Sequence, residues 1–218
     1  MYLTIIIVPV LALLSYFVWA SACIGSGRYV RCICRFNESE RIFLSFDDGP
    51  HPERTSQILD ILAQHHIQAT FFLIGANAQK HQEIVRRIAR EGHNIGNHSY
   101  THSGFLPLKR SSRLIEEIDA TSNLLETITG RPVEWYRPPF GVTNPMTGKA
   151  LRCTGLKAIG WSIRTFDTVS LIPRKWIARS VERQLKPGAI ILLHDRCRDS
   201  DILLEMIIKK IKDKGWSI

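Results

Sequence analysis

The sequence predicts an α/β fold, a parallel sheet with crossover helices curled into a barrel-like form, preceded by one N-terminal transmembrane helix. Three observations predict it. Short apolar runs rich in β-branched and aromatic residues alternate with amphipathic helical patterns, as parallel sheets with crossovers require. Asp47-Asp48, His98, Arg137, Asp167 and His194-Asp195 each follow such a run at or shortly beyond its C-terminal end, the face where a β/α barrel collects its site. Residues 2–27 carry no charged side chain, and 3–22 are almost continuously apolar. An open doubly wound sheet would also gather ligands at strand ends, but no Gly-rich phosphate loop is present.

With 218 residues and 44% hydrophobic composition, the chain can bury one sizeable core. A net charge of +9 favours anionic surroundings such as acidic glycans or lipid head groups. The Lys and Arg residues are scattered, with no basic stripe interleaved with aromatics, so nucleic acid is not an expected partner. The five cysteines, an odd number, form no regular framework. Cys32 and Cys34 lack a matching zinc-ligand pair, Cys153 and Cys197 match no metal motif, and free thiols are expected.

Three segments follow. Residues 1–27 read as a membrane anchor, since twenty residues at helical rise cross a hydrocarbon core of about 30 Å. A cleaved signal peptide is the alternative, because Ala20-Ser21-Ala22 resembles a cleavage site, but the basic n-region is missing. Residues 28–40 form a basic juxtamembrane linker, and Arg28, Arg31 and Arg35 there would hold the main domain on the cytoplasmic face by the positive-inside rule. Glu38 and Glu40 weigh little in that rule, and the face stays open. Residues 41–218 form the main domain.

Along that domain, 42–46 reads as a buried strand. Residues 55–66 place Ile58, Leu59, Ile61 and Leu62 at helical spacing, with Thr55 as N-cap. Residues 69–74 form a second strand, 80–90 a helix stopped by Gly92, and 94–97 a short third strand running into His98. Residues 111–129 form a long amphipathic helix closed by Gly130. Residues 133–136 lead into Arg137-Pro138-Pro139-Phe140-Gly141, and 158–163 read as another strand. A helix over 174–185, a very apolar strand over 189–193, a helix over 199–213 and the start of a strand at 216–218 complete the domain.

The chemistry is concentrated in two places. Asp47 and Asp48 end the first strand side by side; like charges repel and burying either unpaired is costly, so a cation nearby is expected. His98 and His102 are four residues apart, a spacing that on one helical turn lets two imidazoles grip one metal. Two histidines and a carboxylate are a frequent divalent-metal set with positions left open.

Asp47-Asp48-Gly49-Pro50, the His98/His102 pair, Arg137-Pro138-Pro139-Phe140-Gly141, Trp161 with Asp167, and Leu192-Leu193-His194 stand in the order of five motifs. Together they resemble the polysaccharide deacetylase family, the NodB-homology domain of carbohydrate esterase family 4, from about Arg41 to the C-terminus. The resemblance implies a distorted (β/α) barrel and metal-dependent removal of N-acetyl groups from an N-acetylglucosamine-containing cell-envelope glycan or glycolipid. It implies that Asp48, His98 and His102 bind the metal, most often zinc, which activates water and polarises the amide carbonyl. Asp47 would be the general base, oriented by Arg137. The N–H of Phe140 would help to stabilise the oxyanion, His194 would protonate the departing amine with Asp167 raising its basicity, and Trp161 and Leu192 would wall a pocket for the acetyl methyl.

The sequence departs from the family's usual fourth motif, Trp-x-x-Asp-x-x-Asp-Trp, in having Arg164 and Thr168 where the first Asp and the last Trp stand. Arg164 near a cleft mouth would attract an anionic substrate, such as a phosphate-bearing lipid-linked sugar. Two other readings share these residues: hydrolysis of an O-acetyl ester or another amide, and a noncatalytic membrane-tethered glycan-binding protein. The expected setting is a bacterial-type cell membrane with a single pass. His51, His65, His66, His81 and His93 lie in turns or at helix ends and are expected to be solvated.

Overall fold

The computed structural model describes residues 2–37 and 40–218, with the side chains of the first helix described from Ile7 onward. Positions 38 and 39, within the stretch read as a linker, lie outside the described residues. The chain begins with α1 (Tyr2–Ala22). The expected span is not supported: among the described residues no helix is long and apolar enough to cross a membrane.

The elements then run β1 (Phe43–Asp47), α2 (Arg54–Gln64), β2 (Thr70–Leu73), α3 (Gly75–Lys80), α4 (Gln82–Arg90), β3 (Asn94–Asn97), α5 (Ser111–Thr129), β4 (Trp135–Tyr136), α6 (Pro145–Thr154), β5 (Lys157–Ala158), β6 (Ile163–Arg164), α7 (Arg174–Gln184), β7 (Ile190–His194) and α8 (Ser200–Asp213). Seven strands form one sheet in the order β5-β4-β3-β2-β1-β7-β6. Every pairing in it is parallel. Strands buried on both faces read as continuous apolar runs, and β1 and β7, paired side by side within the sheet, have that character. Ile58, Leu59 and Leu62 of α2, Val85 and Ile88 of α4, and Leu203, Leu204, Ile207 and Ile208 of α8 pack over the sheet in the main core.

The single strand expected over 158–163 is two strands at opposite edges of the sheet. This split shows how far the sheet curls. Ala158 ends β5 and Ile163 begins β6, and five residue steps reach at most about 18 Å. A flat sheet of seven strands would hold its edges about 29 Å apart at ordinary strand spacing. The edges must therefore approach one another, as in a barrel. The seam is laced by the segment before β1: Ile33 bridges to Ile159 and Arg35 to Ala189.

Two helices escape the sequence reading. α6 carries an N-cap Asn144, whose side chain accepts from the Thr147 N–H, Pro145 in its first turn and a left-handed Gly155 at its end. α3 is a single short helix of six residues following Ile74. Thr55, expected as an N-cap, lies inside α2, which opens after Glu53. Residues 216–218 make one bridge, Ser217 to Arg41, rather than a strand of the sheet. All five cysteines are free, as expected. His93 is not solvated: it is 5% exposed, and its Nδ1 accepts the Ala69 N–H at 3.2 Å. A ring that fills space against Phe71 is better buried than wetted.

Candidate active site

β1 delivers Asp47 and then Asp48, whose backbone turns into the left-handed region at φ 74°. That turn brings two consecutive carboxylates, which an extended strand would send to opposite faces, into one cavity. The cavity, of about 220 Å3, is lined by Asp47, Asp48, His98, His102, Phe140, Trp161, Leu192 and His194, together with Arg164 and Arg196.

Arg137 is the buried cation that the carboxylate pair demands. It is fully buried, and its Nη1 donates to Asp47 Oδ1 at 2.7 Å and to Ser45 Oγ at 2.9 Å. Nε and Nη2 donate to the carbonyls of Ile159 and Gly160, and the guanidinium lies 4.0 Å from the centre of the Phe72 ring. A guanidinium so surrounded cannot turn, and neither can the carboxylate it holds.

His98 and His102 do not lie on a helix. They sit on a loop after β3 in which Ser99 and His102 have φ of 64° and 49°. Side chains that the sequence did not single out hold this loop. Asn97 Oδ1 accepts the Ser99 N–H, and the buried carboxylate of Glu117 on α5 accepts the N–H groups of Tyr100 and Thr101 at 3.0 and 2.7 Å. Glu117 sits on the apolar face of α5 beside Leu114, Ile118 and Thr121, and a lone acid on a core-facing stripe was the available signal. Asn77 likewise donates to the Asp48 carbonyl at 3.0 Å.

Asp48, His98 and His102 converge, each offering a ligand atom within 4.8 Å of the others. His98 Nε2 is 3.5 Å and His102 Nε2 3.3 Å from Asp48 Oδ1. His98 Nδ1 donates to the Arg137 carbonyl at 2.8 Å; a carbonyl only accepts, so the proton is on Nδ1 and the Nε2 lone pair faces Asp48. Asp48 Oδ1 is buried and has no hydrogen-bond partner among the described residues. A buried, unpartnered carboxylate oxygen facing two imidazoles is the arrangement a divalent cation completes, so these residues fit a metal ion. Burial pushes the Asp48 carboxyl up, but the imidazoles and Arg196 outweigh it and hold it well below the usual range. Burial and the neighbouring His98 draw His102 down to about 4, in spite of the nearby carboxylates.

His194, which also lines the cavity, donates from Nδ1 to Asp167 Oδ1 at 2.8 Å, and its backbone N–H donates to Oδ2 of the same carboxylate at 2.7 Å. Burial lowers the imidazole pKa, but the Asp167 bond and the surrounding carboxylates more than offset it, and His194 stands above its ordinary value. Phe140, at φ 59°, packs its ring 4.6 Å from that of His102, and among the described residues its N–H makes no hydrogen bond. Non-glycine residues with positive φ thus cluster at this site: Asp48, Ser99, His102, Phe140 and Phe166. All ten residues singled out from the sequence lie at the cavity or, as Arg137 and Asp167 do, directly behind its lining.

Comparison with known proteins agrees with this geometry. Residues 36–159 match the family described as polysaccharide deacetylase. The chain belongs to the polysaccharide deacetylase family. It is 35% identical over 173 residues to a chitooligosaccharide deacetylase of Rhizobium leguminosarum bv. trifolii, covering 76% of each chain. The solved structure of the Bc1960 peptidoglycan N-acetylglucosamine deacetylase superposes with a TM-score of 0.79 at 33% identity, covering 92% of both chains. BA3943 of Bacillus anthracis, a pseudoenzyme of carbohydrate esterase family 4, superposes at 0.78 with 27% identity over 85% of this chain and 65% of its own.

Proposed function

We propose that this polysaccharide deacetylase hydrolyses N-acetyl groups on an N-acetylglucosamine-containing cell-envelope glycan or glycolipid. One observation carries the reading: Asp47 of the Arg137–Asp47 pair and His194 of the His194–Asp167 pair both line the cavity that the Asp48/His98/His102 group also lines. Asp48, His98 and His102 would hold a divalent metal, zinc being the best match to two imidazoles and one carboxylate. Bound there, it would polarise the acyl oxygen and acidify a water molecule.

The protein's own groups do the rest. Asp47, with Oδ1 fixed by Arg137, accepts the water proton at Oδ2 as oxygen adds to the acyl carbon. The Phe140 N–H donates to the developing oxyanion. His194, protonated because Asp167 supports its charge, gives its Nε2 proton to the nitrogen as the C–N bond breaks. Acetate and a free amine are the products. Trp161 and Leu192 enclose the methyl group and exclude bulkier acyl chains.

The proposal extends to place: attachment of the domain to a bacterial-type cell membrane through α1. Val8, Leu11, Leu14, Phe17, Val18 and Trp19 are exposed around α1, and a helix apolar on every side is poorly suited to water. Retention of the full chain in the membrane pellet after alkaline washing supports attachment, and release into the supernatant counts against it.

The reaction is tested by incubating the purified chain with N-acetylated oligosaccharides and measuring acetate. Release that stops with a chelator and returns with zinc is expected; undiminished release from metal-free protein would overturn the mechanism.

A further inference from the structure

The cavity has an acidic floor and a basic rim. Asp47 and Asp48 lie inside, with the buried Asp167 behind the lining, while Arg164 and Arg196 line the mouth of the same cavity. Neither arginine is spent. Arg196 Nε donates to Asp48 Oδ2 at 2.6 Å, which fixes its guanidinium, yet among the described residues its two Nη groups bond to no protein atom. The Arg164 side chain makes no hydrogen bond or ion pair among the described residues, and its guanidinium lies 4.9 Å from the Phe166 ring centre and 6.0 Å from that of Trp161. The two rings restrict its plane without using its donors.

An exposed arginine is usually a solvated surface charge of little consequence. These two differ because both are held by fixed partners and both rim one concave site. A guanidinium offers paired donors matched to carboxylate and phosphate oxygens. A substrate anion at the mouth would meet both, while the acidic floor repels it from the acyl position.

We propose that Arg164 and Arg196 form an anion subsite, so that the preferred substrate carries a carboxylate or phosphate close to the acetamido group that is cleaved. This rests on the deacetylase reading above and names the class of glycan within it. Arg196 also touches the Asp48 carboxylate, so its variants are read as a ratio between substrates rather than as absolute activity.

The experiment compares three N-acetylglucosamine oligosaccharides on the purified full chain: a neutral one, one bearing a carboxylate ether on the sugar ring, and one bearing a phosphate monoester. Acetate release gives kcat/KM, and calorimetry gives Kd. The anionic forms are expected to be preferred, with the preference shrinking as salt is added. Arg164→Gln and Arg196→Gln should each lower the anionic-to-neutral ratio about tenfold, and Arg164→Lys should retain most of it. The arm with the higher ratio tells carboxylate from phosphate. Equal turnover and equal binding on all three substrates, or a ratio unmoved in both Gln variants, overturns the subsite while leaving deacetylation intact. Tighter anion binding with no acetate released from any substrate would instead reject the deacetylase reading and leave the subsite standing.

Discussion

Asp47 and His194 are register partners on adjacent parallel strands, β1 and β7. The proposed base and the proposed acid are thus held about one strand spacing apart at their backbones by sheet hydrogen bonds rather than by loops. Each is then aimed by its own partner, Asp47 by Arg137 and His194 by Asp167.

Arg137 is tested by two substitutions. Arg137→Met leaves Asp47 buried without its countercharge and is expected to cost about 3–5 kcal/mol in chemical denaturation. Arg137→Lys keeps the charge but loses the fork that spans Asp47, Ser45 and two carbonyls. Its kcat/KM should fall on the order of 100-fold, because misplacement of the base is costly.

Asp167→Asn should shift a pH profile. The acid at His194 is active while protonated, so activity falls as pH rises through its pKa. Asp167 holds that pKa above the ordinary value. Removing the charge should move the alkaline limb of kcat/KM to lower pH, and an unmoved limb would show that another group sets it.

His98→Ala and His102→Ala should each abolish tight zinc binding in calorimetry, since a single imidazole and one carboxylate remain. Asp48→Asn should weaken it as well. Glu117→Gln is expected to weaken zinc affinity about 10- to 100-fold without touching the ion, by loosening the loop that carries both histidines.

Asp195 offers a stability test away from turnover. It is fully buried beneath Gly49, accepts from Thr55 Oγ1 at 2.6 Å, and burial, with help from Asp48, pushes its carboxyl up to about 7. A raised carboxyl pKa means stability that is complete below the unfolded-state value near 4 and is lost as pH rises through about 7. Asp195→Asn should therefore flatten the fall in Tm between those values relative to the parent protein. Parallel curves for the two proteins would show that the carboxyl ionises freely.

Much of this was legible because strand ends announce themselves: an apolar run followed at once by a charge places the charge at the rim of a parallel sheet. Asp47, His98 and His194 were found that way, and the order of the motifs supplied Trp161 and Leu192. What escaped is non-local. Nothing in residues 158–163 tells that Ile159 to Ser162 bridge two edges, because hydrogen bonding to either edge needs the same extended backbone. The histidine spacing suited a helix, but the left-handed residues Ser99 and His102 made a loop held by Asn97 and by Glu117 of the distant α5. Arg196 was not singled out from the sequence, and its bond to Asp48 joins residues 148 positions apart.

The Ile159 and Gly160 carbonyls that anchor Arg137 belong to the stretch that crosses the seam, and a Cβ on Gly160 would come within 2.6 Å of Cys34 Sγ in the lacing segment. Catalytic alignment is therefore hitched to barrel closure. A substitution at Gly160 or Cys34, nowhere near an acetyl group, would surface in an assay as a damaged base.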